Sequence, residues 1–277
     1  MPGLPDIAVA MWGLDAASIG VAGPPGGERV RGVIAWLAKA AVPGVRGVRI
    51  DATMSGIRPR ELDRSGRRDL ASLLRRNELR FAGVDVFVPP EHLVKADTVD
   101  RAMSSILGAI DLAADLAGLA SGSVAARTLA SGGGAGVAAT ISLALSDKAT
   151  PDVVRSIADH AEGRGVRIAN HAWPIVEKGN AEPAIGIGLD AAVALAAGSD
   201  PVMLAARLGG RVVSARIGDV GATGERVPPG RGRLDVPALL ATLASTGHAG
   251  SAVLDLRGLK APAEVIALVG RQATGQS

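Results

Sequence analysis

The chain has 277 residues, 48% of them hydrophobic and 21% charged, with a net charge of only +3. It holds 37 Gly, two Phe, three Trp, no Tyr and no Cys. The absent cysteines exclude a disulfide scaffold, a thiolate nucleophile and any Cys-ligated metal centre, and the apolar share excludes a disordered chain. The pI of 9.8 reflects the missing Tyr and Cys, since little titrates between His and Lys. With so few aromatics for base stacking, nucleic acid is a disfavoured partner. No stretch reaches the ~20 uninterrupted apolar residues of a membrane span. The first apolar run, Ile7 to Trp12, follows Asp6 without a preceding basic residue, so it reads as a strand rather than a signal peptide, and a cytoplasmic location is expected.

Short apolar runs alternate with helical stretches along one domain, residues 1–277. After the first strand, Val30, Val33, Ile34, Leu37 and Ala41 give a helix from Glu28 to Val42. Val45–Asp51 is the second strand. Pro59 opens a helix running to about Asn77, with Leu62, Leu70, Leu73 and Leu74 on its apolar face. Phe81–Val88 is a strand stopped by Pro89 and Pro90. Asp97 to Leu116 is the clearest helix. Gly118 to Gly136, with three consecutive glycines, reads as a flexible loop rather than a phosphate cradle, because no Lys-Ser/Thr follows.

Val137–Leu145 is the fourth strand. Thr150 caps a helix from Pro151 to about Glu162. Val166–Asn170 and Ile185–Asp190 are the next strands, and Pro174 to Pro183 between them shows little periodicity. Helical Ala191–Ala197 and Pro201–Leu208 precede a strand at Arg211–Ile217. A helix at Leu234–Ser245, a strand at Ser251–Leu256 and a helix at Ala261–Arg271 complete the chain. Eight strands with intervening helices predict an α/β fold, a single (β/α)8 TIM barrel. The rival open doubly wound sheet wants G-x-G-x-x-G after the first strand, and Trp12-Gly13-Leu14-Asp15 lacks it.

Barrel chemistry sits where strands end. Those ends carry Trp12, Asp51, Asp85, Asn170, His171, Trp173, Asp190, Arg216, Asp219, Asp255 and Arg257. Asp51 or Asp85 alone reads as a turn or cap, but polar groups converging from several strands point to a site. His171 is the candidate proton carrier near neutral pH, with a loop histidine as the plain alternative. Trp12 and Trp173 offer apolar faces to a ligand, or plug the barrel mouth or an interface. Arg58 and Arg60 read as a solvated face. The four His have no metal spacing, and neither G-x-S-x-G nor H-E-x-x-H occurs.

Gly47-Val48-Arg49-Ile50-Asp51, Arg167-Ile168-Ala169-Asn170-His171, Gly188-Leu189-Asp190, Val212 to Asp219, Pro229 to Asp235 and Gly250 to Asp255 occur in the order of one known pattern. Over Gly44 to Gly258 the chain resembles the xylose-isomerase-like TIM-barrel superfamily, the sugar-phosphate isomerase/epimerase group that also includes apurinic-site endonucleases. Typical isomerases of that group bind one divalent metal through Glu, Asp, His and Glu on strands five to eight. At the matching positions this chain has Ala169, Asp190, Arg216 and Asp255. Arg cannot ligate a cation.

The resemblance therefore implies a sugar isomerase/epimerase-like protein acting on or binding a small carbohydrate or sugar phosphate. Divalent metal such as Mn or Mg is disfavoured by Ala169 and Arg216, no other cofactor is expected, and an Asp190–Arg216–Asp255 ion cluster stands in the metal's place. Asp190, Asp255 or His171 would move protons, and Arg216 would stabilise an enediolate. Trp12, Asp51, Asn170, Trp173, Asp219 and Arg257 would bind substrate. The alternative is a non-catalytic sugar-binding or interaction barrel descended from such an enzyme. Nuclease activity is disfavoured for want of His and Glu ligands. A homo-oligomer is compatible with the chain, and no membrane partner is expected.

Overall fold

In a computed structural model describing residues 4–14, 16–120, 138–176 and 182–275, eight parallel strands close into a barrel. The strands are β1 (Ile7–Ala10), β2 (Val45–Asp51), β3 (Arg80–Asp85), β4 (Ala139–Leu143), β5 (Val166–Asn170), β6 (Ile185–Asp190), β7 (Val212–Ile217) and, closing against β1, β10 (Ala252–Leu254). A two-stranded hairpin, β8 (Asp219–Val220) with β9 (Arg226–Val227), follows β7. Outside the barrel lie α1 (Gly27–Ala40), α2 (Arg64–Arg76), α3 (Val99–Ala120), α4 (Pro151–Gly163), α5 (Ala191–Ala196), α6 (Pro201–Leu208), α7 (Val236–Ser245) and α8 (Pro262–Thr274). The predicted (β/α)8 barrel is the observed fold.

The strands are near-continuous Val, Ile, Ala and Gly runs because both faces are covered, by helices outside and by the barrel interior within. The 22-residue α3 is long and apolar enough to cross a membrane by composition, but its Ala102, Ile106, Ile110, Ala113 and Leu116 are buried and it packs on β3 and β4.

Several boundaries differ from the predicted ones for physical reasons. The expected helix from Pro59 divides into a 3-10 turn at Pro59–Glu61 and α2, because the Asp63 side chain accepts from Gly66 N and starts a new helix. β1, β3 and β10 end before Trp12, Val88 and Leu256: Met11, Val86 and Asp255 each donate one last N–H to the neighbouring strand, to Arg49 O, Ser142 O and Ile217 O, and the chain then turns into the loops at the rim. Gly118 to Ala120 finish α3 rather than opening a loop. The rest of that predicted loop, 121–136, lies outside the described residues, as do Val137 and 177–181. Among the described residues no helix follows β5.

Candidate functional site

Alternation along each strand sends every second side chain into the barrel. β2 contributes Arg49 and Asp51, β3 Gly83 and Asp85, β4 Thr140 and Ser142. β6 contributes Gly188 and Asp190, and β7 contributes Ser214 and Arg216. Few aromatics fill this interior. Arg49, only 1% exposed, is among its largest fully buried side chains. Each of its N–H groups has an acceptor: Nε donates to Asp85 Oδ1 at 2.7 Å, Nη1 to Ala82 O and Thr140 Oγ1, Nη2 to Val84 O and to Ser142 Oγ at 2.7 Å. Glycine at 83 makes the room, because a Cβ there would lie 2.9 Å from Arg49 Nη1 and 2.5 Å from Thr140 O.

Arg216 enters from β7, opposite β3 in the closed strand order. Its Nη2 donates to the same Asp85 Oδ1, at 2.8 Å. Two guanidinium groups thus share one buried carboxylate oxygen. Asp85 Oδ2 and Arg216 Nη1 have no partner within the protein. His171, just past β5, folds its ring inward over Gly188 of β6, where a Cβ would stand 2.4 Å from His171 Cδ2. Its Nε2 meets Ser142 Oγ at 3.0 Å and its buried Nδ1 is unpartnered. Burial first, then the charges of Arg216, Arg49 and Arg257, hold this imidazole well below its ordinary pKa, so it is neutral at neutral pH.

The second ion group surrounds Arg257. It grips both oxygens of the fully buried Asp255 and lies 3.5 Å from Asp190 Oδ2. Arg226 adds a 3.2 Å contact to Asp255. Burial opposes ionisation of Asp255, but Arg257 and Arg226 outweigh it and hold the carboxyl below its usual value. Asp190 Oδ1 caps α5 through Ala192 N and Val193 N. Trp12 stacks on Phe87 with centroids 5.5 Å apart, and Arg257 lies 4.0 Å over its ring, Arg216 5.4 Å.

A cavity of about 210 Å³ opens among Trp12, Phe87, Asp85, Asp190, Arg216 and His171 at the C-terminal mouth, with Ser142 and Arg257 also on its wall. Trp12, Asp190, Arg216, His171 and Arg257 therefore converge, as strand-end chemistry predicts. A larger recess of about 400 Å³ at the opposite end is lined by Asp6 and Arg80, which satisfy each other.

The expected Asp190–Arg216–Asp255 cluster is corrected. Asp190 is the ladder neighbour of Arg216, but an arginine side chain is long enough to cross the barrel. Arg216 does so and pairs with Asp85, leaving Asp190 and Asp255 to Arg257. Asp219 is not a ligand group either: fully buried, its carboxylate accepts from the N–H groups of Val220, Gly230, Gly232, Arg233 and Leu234 and so organises the loop before α7. Asn170 Oδ1 accepts from Leu145 N and Ala172 N, a loop clamp.

Asp51 is buried against Thr53, which donates to it from both N and Oγ1, and burial raises its pKa. Trp173 is 39% exposed. Asp51, Asn170, Trp173, Asp219 and Asp255 all lie off the cavity wall. Arg58 is engaged by Thr53 O and Glu61. Reading strand ends alone missed Arg49 and Ser142 and undervalued Asp85. The period-2 rule carried back two residues from Asp51 finds Arg49, while no strand-end signal marks Ser142, which lies one residue inside the end of β4.

A divalent cation does not suit this donor set. Ala169 offers no donor, Arg216 brings a positive charge, and Arg257 takes both oxygens of Asp255 and stands 3.5 Å from Asp190. Among the described residues no three His, Asp or Glu gather as a metal site.

The chain matches no known protein-family model and no curated protein sequence. Solved structures do share its fold. D-psicose 3-epimerase with D-tagatose from Clostridium cellulolyticum H10 aligns with a TM-score of 0.65 and 14% identity over 98% of this chain and 96% of that one. A xylose isomerase domain protein from Planctomyces limnophilus gives 0.62 and 13% over 99% and 95%. The IOLI protein with a binding zinc atom gives 0.62 and 15% over 98% of both chains. The likeness is one of fold: this TIM barrel has the shape of those proteins, and its mouth carries its own set of charges.

Proposed function

We propose that the barrel mouth binds a small carbohydrate and acts on it as an isomerase or epimerase by proton transfer, without a divalent metal. One observation carries the reading: a sugar-sized cavity in which the Trp12–Phe87 wall faces Asp190, Arg216 and His171. The aromatic wall takes the C–H face of a sugar ring. Asp190 is the carboxylate placed to remove a proton from carbon, its other oxygen being fixed by the start of α5. Arg216 holds substrate oxygens and stabilises negative charge developing on them, the task a metal performs in the resembling isomerases. Asp255, sealed behind Arg257, is a positioning residue for that arginine. The reading goes with a cytoplasmic protein of carbohydrate metabolism.

The test is deuterium incorporation into aldoses, ketoses, their phosphates and sugar acids in D2O, followed by NMR with metal-stripped protein. Exchange at the carbon next to the carbonyl is expected, and Asp190→Asn, which retains a helix cap, should abolish it. Exchange that requires added Mn²⁺ would refute the metal-free reading. Binding without exchange would favour the non-catalytic barrel, to which one feature already points: Asp255 is sealed behind Arg257, and the other carboxylate on the cavity wall, Asp85, is held by both Arg49 and Arg216, an arrangement suited to binding.

A further inference from the structure

Three buried polar atoms at the cavity have no partner: Arg216 Nη1, His171 Nδ1 and Asp85 Oδ2. Their hydrogen-bonding character follows from their neighbours. Arg49 can only donate, so Ser142 Oγ accepts from it. The Ser142 proton then has one partner within reach, His171 Nε2. Nε2 is therefore the acceptor of a neutral ring, and the ring proton sits on Nδ1. The unfilled set is two donors and one acceptor.

Charge adds a second, independent constraint. Around the cavity Arg49, Arg216, Arg226 and Arg257 face Asp85, Asp190 and Asp255. Arg257 and Arg226 balance Asp190 and Asp255. Asp51, the ladder neighbour of Asp85, accepts from Thr53 N and Oγ1, and burial works against its charged form and raises its pKa, so it is a poor counter-ion. Arg49 and Arg216 share Asp85 alone. One positive charge is left without a counter-ion, on the arginine that also has the unpartnered N–H. A buried charge of this kind is costly until something neutralises it.

We infer that the ligand is a sugar acid, whose carboxylate accepts from Arg216 Nη1 and His171 Nδ1 and whose 2-hydroxyl donates to Asp85 Oδ2. A carboxylate supplies the single negative charge the site lacks. A neutral hydroxyaldehyde or hydroxyketone matches the donor pattern but not the charge, and a phosphate dianion overshoots it. The inference rests on the carbohydrate reading and names its substrate class.

Calorimetric titration of the intact protein with D-gluconate, D-glucose, D-glucose 6-phosphate and L-lactate tests it. Gluconate should bind at least about tenfold more tightly than glucose, and Arg216→Met should erase that preference while the protein stays folded by circular dichroism. Arg216→Lys should retain part of it. Lactate binding as tightly as gluconate would keep the carboxylate site and overturn the carbohydrate reading. Glucose or glucose 6-phosphate binding as tightly as gluconate, a preference that survives Arg216→Met, or no binding by any acid would overturn the inference.

Discussion

Removing Arg216 and removing Asp85 should move stability in opposite directions, although the two residues form one salt bridge. The Arg216 side chain is 7% exposed and makes a single hydrogen bond, to an Asp85 oxygen that keeps Arg49 Nε at 2.7 Å when Arg216 is gone. Arg216→Met thus forfeits one charge-assisted bond, about 1.5–3 kcal/mol. It recovers the desolvation of an uncompensated guanidinium, several kcal/mol. Met refills the space of the arginine stem, so the net is a stabilisation of about 1–3 kcal/mol, or roughly 2–6 °C in melting temperature for a chain of this size. Asp85→Asn instead leaves two guanidinium groups facing each other without an anion and should cost about 3–5 kcal/mol. The double variant should recover much of that loss. Urea unfolding followed by Trp fluorescence measures all three. If Arg216→Met lost more than about 1 kcal/mol, the charge accounting at this site would be wrong and Arg216 would belong to a balanced structural pair.

Acidification should weaken the fold before most carboxylates titrate. Burial lowers the pKa of His171 and, at the other end of the barrel, of His248. In the unfolded chain both take up protons below about pH 6.5, which the folded chain resists, so stability is complete above that pH and falls as pH drops through the window beneath it. The urea midpoint should decline from about pH 7 to about pH 5, and less steeply in His171→Gln; a flat or rising midpoint would contradict the burial of both rings. Gly188→Ala should cost about 1–3 kcal/mol by evicting the His171 ring from its seat. In a His171→Ala background the same change should cost little, and an unchanged cost there would show that the strain lies elsewhere.

The strands were legible because a barrel buries them on both faces: the apolar runs at Val45–Asp51, Val166–Asn170 and Ile185–Asp190 match observed strands end to end. Helix starts were legible where a cap is chemical, as at Thr150, whose side chain accepts from Val153 N. The site was half legible. Strand ends identified Trp12, His171, Asp190, Arg216 and Arg257, because direction along a strand is written in the sequence. Partners across the barrel are not. Asp85 and Arg216 are 131 residues apart and meet only because β3 and β7 stand opposite each other. Asp219 looked like one more strand-end acid, and only the loop folding back over it shows that its oxygens are consumed by backbone N–H groups.

A guanidinium at the end of β7 is not a local feature. The charge of Arg216 is carried at the end of a long side chain and lies not beside its ladder neighbour Asp190 but against Asp85. It reaches the far wall, where a carboxylate must already be in place. Asp85 fills that role, yet Asp85 is also bound by Arg49, which is itself accommodated by Gly83 and satisfied by Thr140 and Ser142. On the near side, Asp190 and Asp255 need a cation of their own, and Arg257 supplies it while stacking on Trp12. The many small residues of the chain have a structural meaning here: Ala169, Gly83 and Gly188 leave the interior open enough for buried arginines and an inward-folded imidazole. Arg49 with Gly83, and His171 with Gly188, are thus parts of one packing arrangement, and its cost is the unpartnered N–H of Arg216 at the cavity.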